Sequence, residues 1–376
     1  MKKILNPFIT SGYAGAGYFC NRKSESDHIL QQINNGTSVT LTSVRRIGKT
    51  GLIHHVLSQL PKSFTGIYID IQPTENRSDL LNALVTALIN AVPQKSKPGK
   101  AIWEFVKSLR PLITFDALSG MPQVSLEVSH HKPETQLQSV LEFLETQPNK
   151  IAVAIDEFQQ ILSYPEKNTD AWMRGLIQQL HNIVFIFSGS RQHLMTDLFN
   201  SPSRPFYRST QFMKIGKISA NDYACFIEKH FLQNHRKITL EVIEVILEWS
   251  DLHTYYVQLL CNRLFATAAS EITKDLVKSE SLRILKETET VFFNYRDLLT
   301  VPQWMLLKAI AMEKRVYAPS AGSFLKKYHL SGSATVLQSL HSLIKKEMVY
   351  KETDTDGRSF YGVNDLLFAH WIRSIP

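Results

Sequence analysis

The sequence predicts an α/β protein: a parallel sheet sandwiched by helices, then a helical segment, then a C-terminal unit of three helices and a β-hairpin. Three observations lead there. Between residues 28 and 195, short runs of β-branched and aromatic residues alternate with longer amphipathic runs, which is how a parallel sheet and its crossover helices are written in sequence. After about Lys217 the strand pattern stops and apolar residues recur at helical spacing. From Val301 three helical patterns lead into a strand–turn–strand run around Asp356-Gly357, a residue pair that favours tight hairpins.

Strands are expected at Ser38–Thr42, Gly66–Ile71, Ile151–Ile155 and Ile183–Ser188. Their near-continuous apolar character suits strands covered on both faces. Helices are expected between them, at Lys49–Gln59, Ser78–Val92, Thr135–Thr146 and Asp170–Leu180. Pro93–Lys100 reads as a surface loop, and Pro122–Val128 as an extra hairpin strand. In the helical segment Val242, Ile243, Val245, Ile246 and Trp249, then Tyr256, Leu259, Leu260 and Leu264, fall at helical spacing. The C-terminal helices are expected at Pro302–Glu313, Gly322–Lys327 and Ala334–Lys346; with the hairpin they make a winged helix-turn-helix. The expected division is residues 1–216 for the sheet domain, 217–299 for a helical lid and 300–376 for the winged helix.

A chain of 376 residues exceeds what one core usually spans, so several units are expected. No apolar run reaches the roughly 18 to 20 residues a bilayer span needs. The start Met1-Lys2-Lys3-Ile4-Leu5-Asn6-Pro7 breaks off before a signal-peptide core forms, so a cytoplasmic protein is expected. Cys20, Cys225 and Cys261 are far apart and match no metal-ligand spacing, which reads as reduced and structural. The formal charge of +8 permits an anionic partner, but the excess is spread along the chain.

One segment carries chemistry. Ser43-Val44-Arg45-Arg46-Ile47-Gly48-Lys49-Thr50-Gly51 follows a strand and opens a helix, as in the phosphate-binding pattern G-x-x-x-x-G-K-[ST]. In that pattern successive amides face phosphate oxygens, the lysine reaches the β- and γ-phosphates, and the hydroxyl residue ligates Mg2+. Lys49 and Thr50 take these two places, and Ser43, Arg46, Gly48 and Gly51 complete the loop around the nucleotide. Ser43 stands where the first glycine is usual and resists positive φ, so a distorted or weakened loop is expected. Arg45 and Arg46 read either as solvated or as pairing with a carboxylate or nucleotide.

The complement is an apolar strand ending in acids, Ile151-Ala152-Val153-Ala154-Ile155-Asp156-Glu157. There Asp156 is expected to hold Mg2+ through water, and Glu157 to orient or deprotonate the attacking water. A third strand ends in Ser188-Gly189-Ser190; either serine could sense the γ-phosphate, with Gln159 assisting. The whole reads as a P-loop NTPase fold that takes a nucleoside triphosphate with Mg2+; that the nucleotide is ATP follows only from a family resemblance.

These segments, with Arg204-Pro205-Phe206-Tyr207 and Tyr361-Gly362-Val363-Asn364-Asp365, resemble the archaeal-type ATPase family, of the STAND branch of AAA+-related NTPases. The resemblance implies regulated ATP hydrolysis coupled to a change of conformation. It also implies that Asn21, Arg22 and Glu25 belong to a box against the nucleotide base, and that Arg208 contacts a γ-phosphate of its own or a neighbouring subunit, with Arg191 and Arg204 as rivals. Thr254 departs from the pattern, since relatives commonly have Pro after a His at the place of His253.

Residues 301–376 carry ten Lys and Arg against six Asp and Glu, and the hairpin tip holds Asp354 and Asp356. An acidic wing tip repels phosphate. A protein partner or self-association is therefore favoured over duplex DNA, with no membrane role. Three readings stay open: an ATP-hydrolysing switch, a nucleotide-gated DNA-binding protein with slow or no hydrolysis, and a degenerate NTPase scaffold.

Overall fold

A computed structural model describes residues 5–92, 96–109, 111–115, 121–126, 133–354 and 356–375. The chain separates into two compact units, Ser11–Ile218 and Met1–Thr10 with Ser219–Pro376.

The first unit runs α1 (Lys23–Asn34), β1 (Val39–Thr42), α2 (Lys49–Ser58), β2 (Phe64–Asp70), α3 (Arg77–Ala91), α4 (Lys97–Ser108), β3 (Pro111–Phe115), β4 (Pro122–Leu126), α5 (Pro133–Glu145), β5 (Lys150–Asp156), α6 (Thr169–Ile177), β6 (Ile183–Gly189), α7 (Gln192–Asn200) and β7 (Gln211–Lys214). Five strands form one parallel sheet in the order β2-β5-β6-β1-β7. β1 and β6 are buried throughout and β5 everywhere but Lys150, which is why they read as continuous apolar runs. Parallel pairing brings the carboxyl ends of β1, β5 and β6 together, the edge at which such sheets bind ligands.

Three elements depart from the sequence expectations. β7 was not foreseen: Gln211-Phe212-Met213-Lys214 is a four-residue edge strand with both end residues exposed, too short and polar for a period to show. Part of the expected surface loop is the start of α4, capped where Ser96 Oγ accepts the Gly99 N–H at 3.1 Å; residues 93–95 lie outside the described residues. The expected hairpin strand is β4, and its partner β3 was missed; Glu127 and Val128 lie outside the described residues. The outer edge of β4 is satisfied by side chains of α3. Its Val124 and Leu126 N–H groups donate to Thr86 Oγ1 and Asn82 Oδ1, each at 3.0 Å.

The second unit contains α8 (Ala220–Leu232), β8 (Lys237–Ile238), α9 (Leu240–Ser250), α10 (Thr254–Ala266), β9 (Glu271–Ile272) and α11 (Lys274–Asp297). It continues with α12 (Val301–Glu313), α13 (Gly322–Lys327), α14 (Ser333–Lys345), β10 (Val349–Thr353), β11 (Ser359–Val363) and α15 (Leu366–Ser374). The helical segment is not strand-free: β8 and β9 pair in parallel over two residues. Phe8 is fully buried among Phe226, Phe231 and Phe265. Asn6 and Asn262 exchange side-chain bonds with this neighbourhood, Asn6 Nδ2 to Asn262 O and Asn262 Nδ2 to Phe8 O. Aromatic burial thus places the start of the chain with helices that follow the sheet in sequence.

Helices α12 to α14 and the antiparallel pair β10–β11 form the winged helix. α15, also unforeseen, starts where Asp365 Oδ1 accepts the Leu367 and Phe368 N–H groups. It packs Phe368 and Trp371 against Phe292 of α11.

Candidate functional site

The loop Ser43–Thr50 follows β1, and two sets of side chains brace it and the helix it opens. Arg22, only 4% exposed, donates to Ile47 O in the loop at 3.2 Å and to Gly216 O at 2.7 Å, and pairs with Glu25 at 2.7 Å. Arg22 is therefore a buried brace between the start of α1, the loop and the segment after β7, and its guanidinium is committed to protein carbonyls. Tyr13, Phe19 and His55 form a second support on α2: the Phe19 and His55 rings stack at 4.3 Å, and the Tyr13 hydroxyl is 2.8 Å from His55 Nδ1.

Ser43 does not distort the loop. The left-handed positions are Arg46 (φ 68°) and Gly48 (φ 96°), so nothing at Ser43 demands glycine. Its fully buried hydroxyl donates to Val44 O at 2.8 Å and accepts from Lys49 Nζ at 3.1 Å. Gly48 precedes α2, which Lys49 and Thr50 open. Gly51 lies in the first turn, where a Cβ would only reach ordinary contact with the Phe19 ring at 3.6 Å. Arg45 and Arg46 are exposed, and Arg45 Nε donates to Ser190 Oγ at 3.4 Å.

Thr50 Oγ1 donates to Asp156 Oδ2 at 2.7 Å, joining the two halves of the site across 106 residues of sequence. The same carboxylate oxygen accepts from the Tyr68 hydroxyl at 3.2 Å, and Oδ1 accepts the Glu157 N–H at 3.0 Å. Glu157 occupies the left-handed region (φ 56°) just after β5. Its Oε2 accepts three donors: Gln159 Nε2 at 2.5 Å, Ser190 Oγ at 2.9 Å and Ser190 N at 3.3 Å. Of the two candidate serines, Ser190 makes this contact, while the Ser188 hydroxyl is buried with no hydrogen-bond partner among the described residues.

Electrostatics focus on Lys49. Burial pulls its ammonium below the ordinary lysine range, Glu157 and Asp156 pull it back up, and Arg45 lowers it further. Burial raises Asp70, opposed by a bond from the Gln72 N–H and reinforced by Asp156 and Glu157. Burial and Asp156 likewise push the Tyr68 phenol far above its usual range, and burial lowers His54 against the pull of Asp156. A buried ammonium whose hydrogen bond goes to the neutral Ser43 hydroxyl carries a desolvation cost that a nearby anion would offset.

The donor set also fits a hard cation. Thr50 and Asp156 offer oxygens, and among the described residues no cluster of three or more His, Cys, Asp or Glu could hold a metal ion. A divalent ion here would complete its shell from phosphate and water, as Mg2+ does.

The arginines separate by strand polarity. Arg208 lies just before β7, whose first residue pairs with Val39 and whose last pairs with Thr42, so it sits at the amino end of the sheet. At about 3.3 Å per residue, β7 alone separates the two ends by more than an arginine side chain spans. Arg208 thus lies toward the opposite end of the sheet from the loop, with its guanidinium over the Tyr207 ring at 5.2 Å. Arg204 is bound to Asp197 and pairs with Asp170 at 3.5 Å. Arg191 directly follows Ser190 at the carboxyl end of β6. Tyr68 and His54 carried no motif signal, because a tyrosine inside an apolar strand reads as core.

Residues 290–374 match the model of the family described as "Probable winged helix domain". No curated protein matches the chain. Among solved structures, a Walker-type ATPase of Pyrococcus abyssi aligns with a TM-score of 0.69 at 17% identity, over 98% of this chain and 99% of that one. The ORC2 protein of Aeropyrum pernix, in ADPNP–ADP complexes, aligns at 0.57 and 12% identity, over 94% of each chain. The ORC1 protein of Aeropyrum pernix, in complex with DNA, aligns at 0.51 and 12%, over 95% of this chain and 92% of that one. The chain has the fold of the Walker-type P-loop ATPases, an α/β core on a parallel sheet followed in sequence by a helical segment and a C-terminal winged helix.

Proposed function

We propose that the chain binds ATP with Mg2+ at the loop Ser43–Thr50, hydrolyses it, and works as a nucleotide-driven switch of the STAND kind. The observation that carries this reading is the Thr50–Asp156 hydrogen bond, which unites a phosphate loop and a strand-end acid. Lys49, whose buried ammonium has no carboxylate hydrogen bond among the described residues, takes the β- and γ-phosphate charge. Thr50 and Asp156 hold Mg2+, which when bound neutralises charge on the phosphates. Gly48 and Gly51 keep the helix start close to the nucleotide, and Arg46 lies at the rim.

Glu157 is the group that orients and deprotonates water. Three donors fix its Oε2, so Oε1 remains to accept the water proton. Ser190 connects this carboxylate to Arg45 and can report an arriving γ-phosphate. The placement of Arg208 near the amino end of the sheet supports contact with the γ-phosphate of a neighbouring subunit over one on its own chain. On this reading the expected ATPase domain (1–216), lid (217–299) and winged helix (300–376) keep their roles, except that residues 1–10 belong with the helical unit and not with the sheet.

For the winged helix we favour a protein partner or self-association. The exposed face of α14 carries Thr335, Leu337, Gln338 and His341, with its Lys345 only in the last turn. That face is poor in the cations duplex DNA requires. The DNA-bound state of the Aeropyrum pernix ORC1 structure supports the alternative, a nucleotide-gated DNA-binding protein.

Lys49→Ala is expected to abolish ATP binding. Glu157→Gln should leave binding intact and reduce phosphate release by about a hundredfold or more, the scale of general-base catalysis. Turnover equal to wild type in Glu157→Gln would sink the catalytic assignment; tight binding with no turnover in the unsubstituted chain would make it a scaffold.

A further inference from the structure

On the Mg-ATP reading above, we infer that Tyr68 is a positioning residue for the divalent cation, acting through Asp156. β2 pairs with β5 so that Tyr68 lies beside Ala154 and Asp70 beside Asp156. From there the Tyr68 hydroxyl donates to Asp156 Oδ2 at 3.2 Å, the same oxygen that takes Thr50 Oγ1 at 2.7 Å. The Glu157 N–H holds Oδ1 at 3.0 Å. Three donors from three stretches of chain therefore fix one carboxylate that is 3% exposed.

The Tyr68 ring is fixed in turn. It packs on His54 at 4.3 Å, one turn beyond Thr50 on α2, so a single side chain ties β2 and α2 to the acid at the end of β5.

A threonine hydroxyl has one hydrogen and two lone pairs. While its hydrogen stays with Asp156, the Thr50 oxygen keeps lone pairs for a cation. That holds only if Asp156 Oδ2 stays in place, and Tyr68 is the second anchor on that atom. Partners one step removed from a metal set ligand orientation, and removing one typically costs about 10- to 100-fold in metal affinity.

Tyr68→Phe keeps the ring and deletes the hydroxyl. With a fluorescent ATP analogue bound to the full chain, Mg2+ is titrated and its effect on nucleotide fluorescence read without turnover. The Mg2+ concentration at half-effect is expected to rise about tenfold in Tyr68→Phe, with metal-free nucleotide affinity unchanged. A curve superimposable on wild type overturns the role, and so does an equal loss with and without Mg2+, which marks a packing defect.

His54→Phe, which preserves the ring contact, should leave the Mg2+ curve in place; an equal shift there would assign the effect to stacking and overturn the proposal. In an Asp156→Asn background Tyr68→Phe should add nothing further, whereas full additivity counts against a path through Asp156. If the unsubstituted chain shows no Mg2+-dependent nucleotide binding, the proposed function falls and this role with it. Normal wild-type dependence with an unchanged Tyr68→Phe curve removes Tyr68 alone.

Discussion

At the scale of single residues, the loop's departure from the glycine pattern is repaired by chemistry. Ser43 sits outside the left-handed region, and its hydroxyl accepts from Lys49. Restoring the pattern with Ser43→Gly is therefore expected to weaken ATP binding by a few-fold, the loss of about one ordinary hydrogen bond, as titration calorimetry would read. Tighter binding in that variant would show that the serine is a defect. The strain lies three residues on, at exposed Arg46 with φ 68°. A non-glycine residue there costs roughly 1 kcal/mol, partly offset by the greater unfolded-state freedom of glycine. Arg46→Gly should raise unfolding stability by about 0.5 kcal/mol in urea titration, and a clear loss would mean that the Arg46 side chain holds the loop.

Elements are held by side chains as much as by strand pairing. The edge of β4 is closed by α3, where Thr86 Oγ1 accepts the Val124 N–H. Thr86→Val preserves shape and removes that acceptor, so it should cost about 1 kcal/mol in chemical denaturation while ATP binding stays as it was. No loss would mean that water replaces the hydroxyl. These same elements explain what was legible in sequence. β1, β5 and β6 read correctly because burial on both faces leaves a continuous apolar run. β7, β3 and α15 did not, since short edge strands and a terminal helix owe their form to neighbours such as β1, β4 and Phe292, far away in sequence.

For the whole molecule the open matter is what the winged helix meets. The chain carries +8 formal charge, yet the wing tip is closed on itself: Arg358 pairs with Asp356 at 2.9 Å and with Asp354 at 3.5 Å. The tip is thus less repulsive than its two acids suggest, while the exposed face of α14 still offers few cations. We expect no retention of duplex DNA in gel-shift assays at about 0.15 M salt, where exposed charges more than about 8 Å apart are screened, with or without ATP. Retention that weakens steeply with salt and changes with ATP would favour the DNA-binding reading.

Sequence alone determined the alternation of strands and helices, the Gly48-Lys49-Thr50 helix start, and the acids closing β5. Each is set within a few residues, by burial period or by the demands of a tight turn. Only the tertiary structure decided that Thr50 meets Asp156, that Arg22 is a buried brace, that Arg208 lies at the far end of the sheet, and that the Tyr68 hydroxyl donates to Asp156. Those outcomes depend on strand order and register, which arise from pairing between segments dozens of residues apart and leave no local period to read.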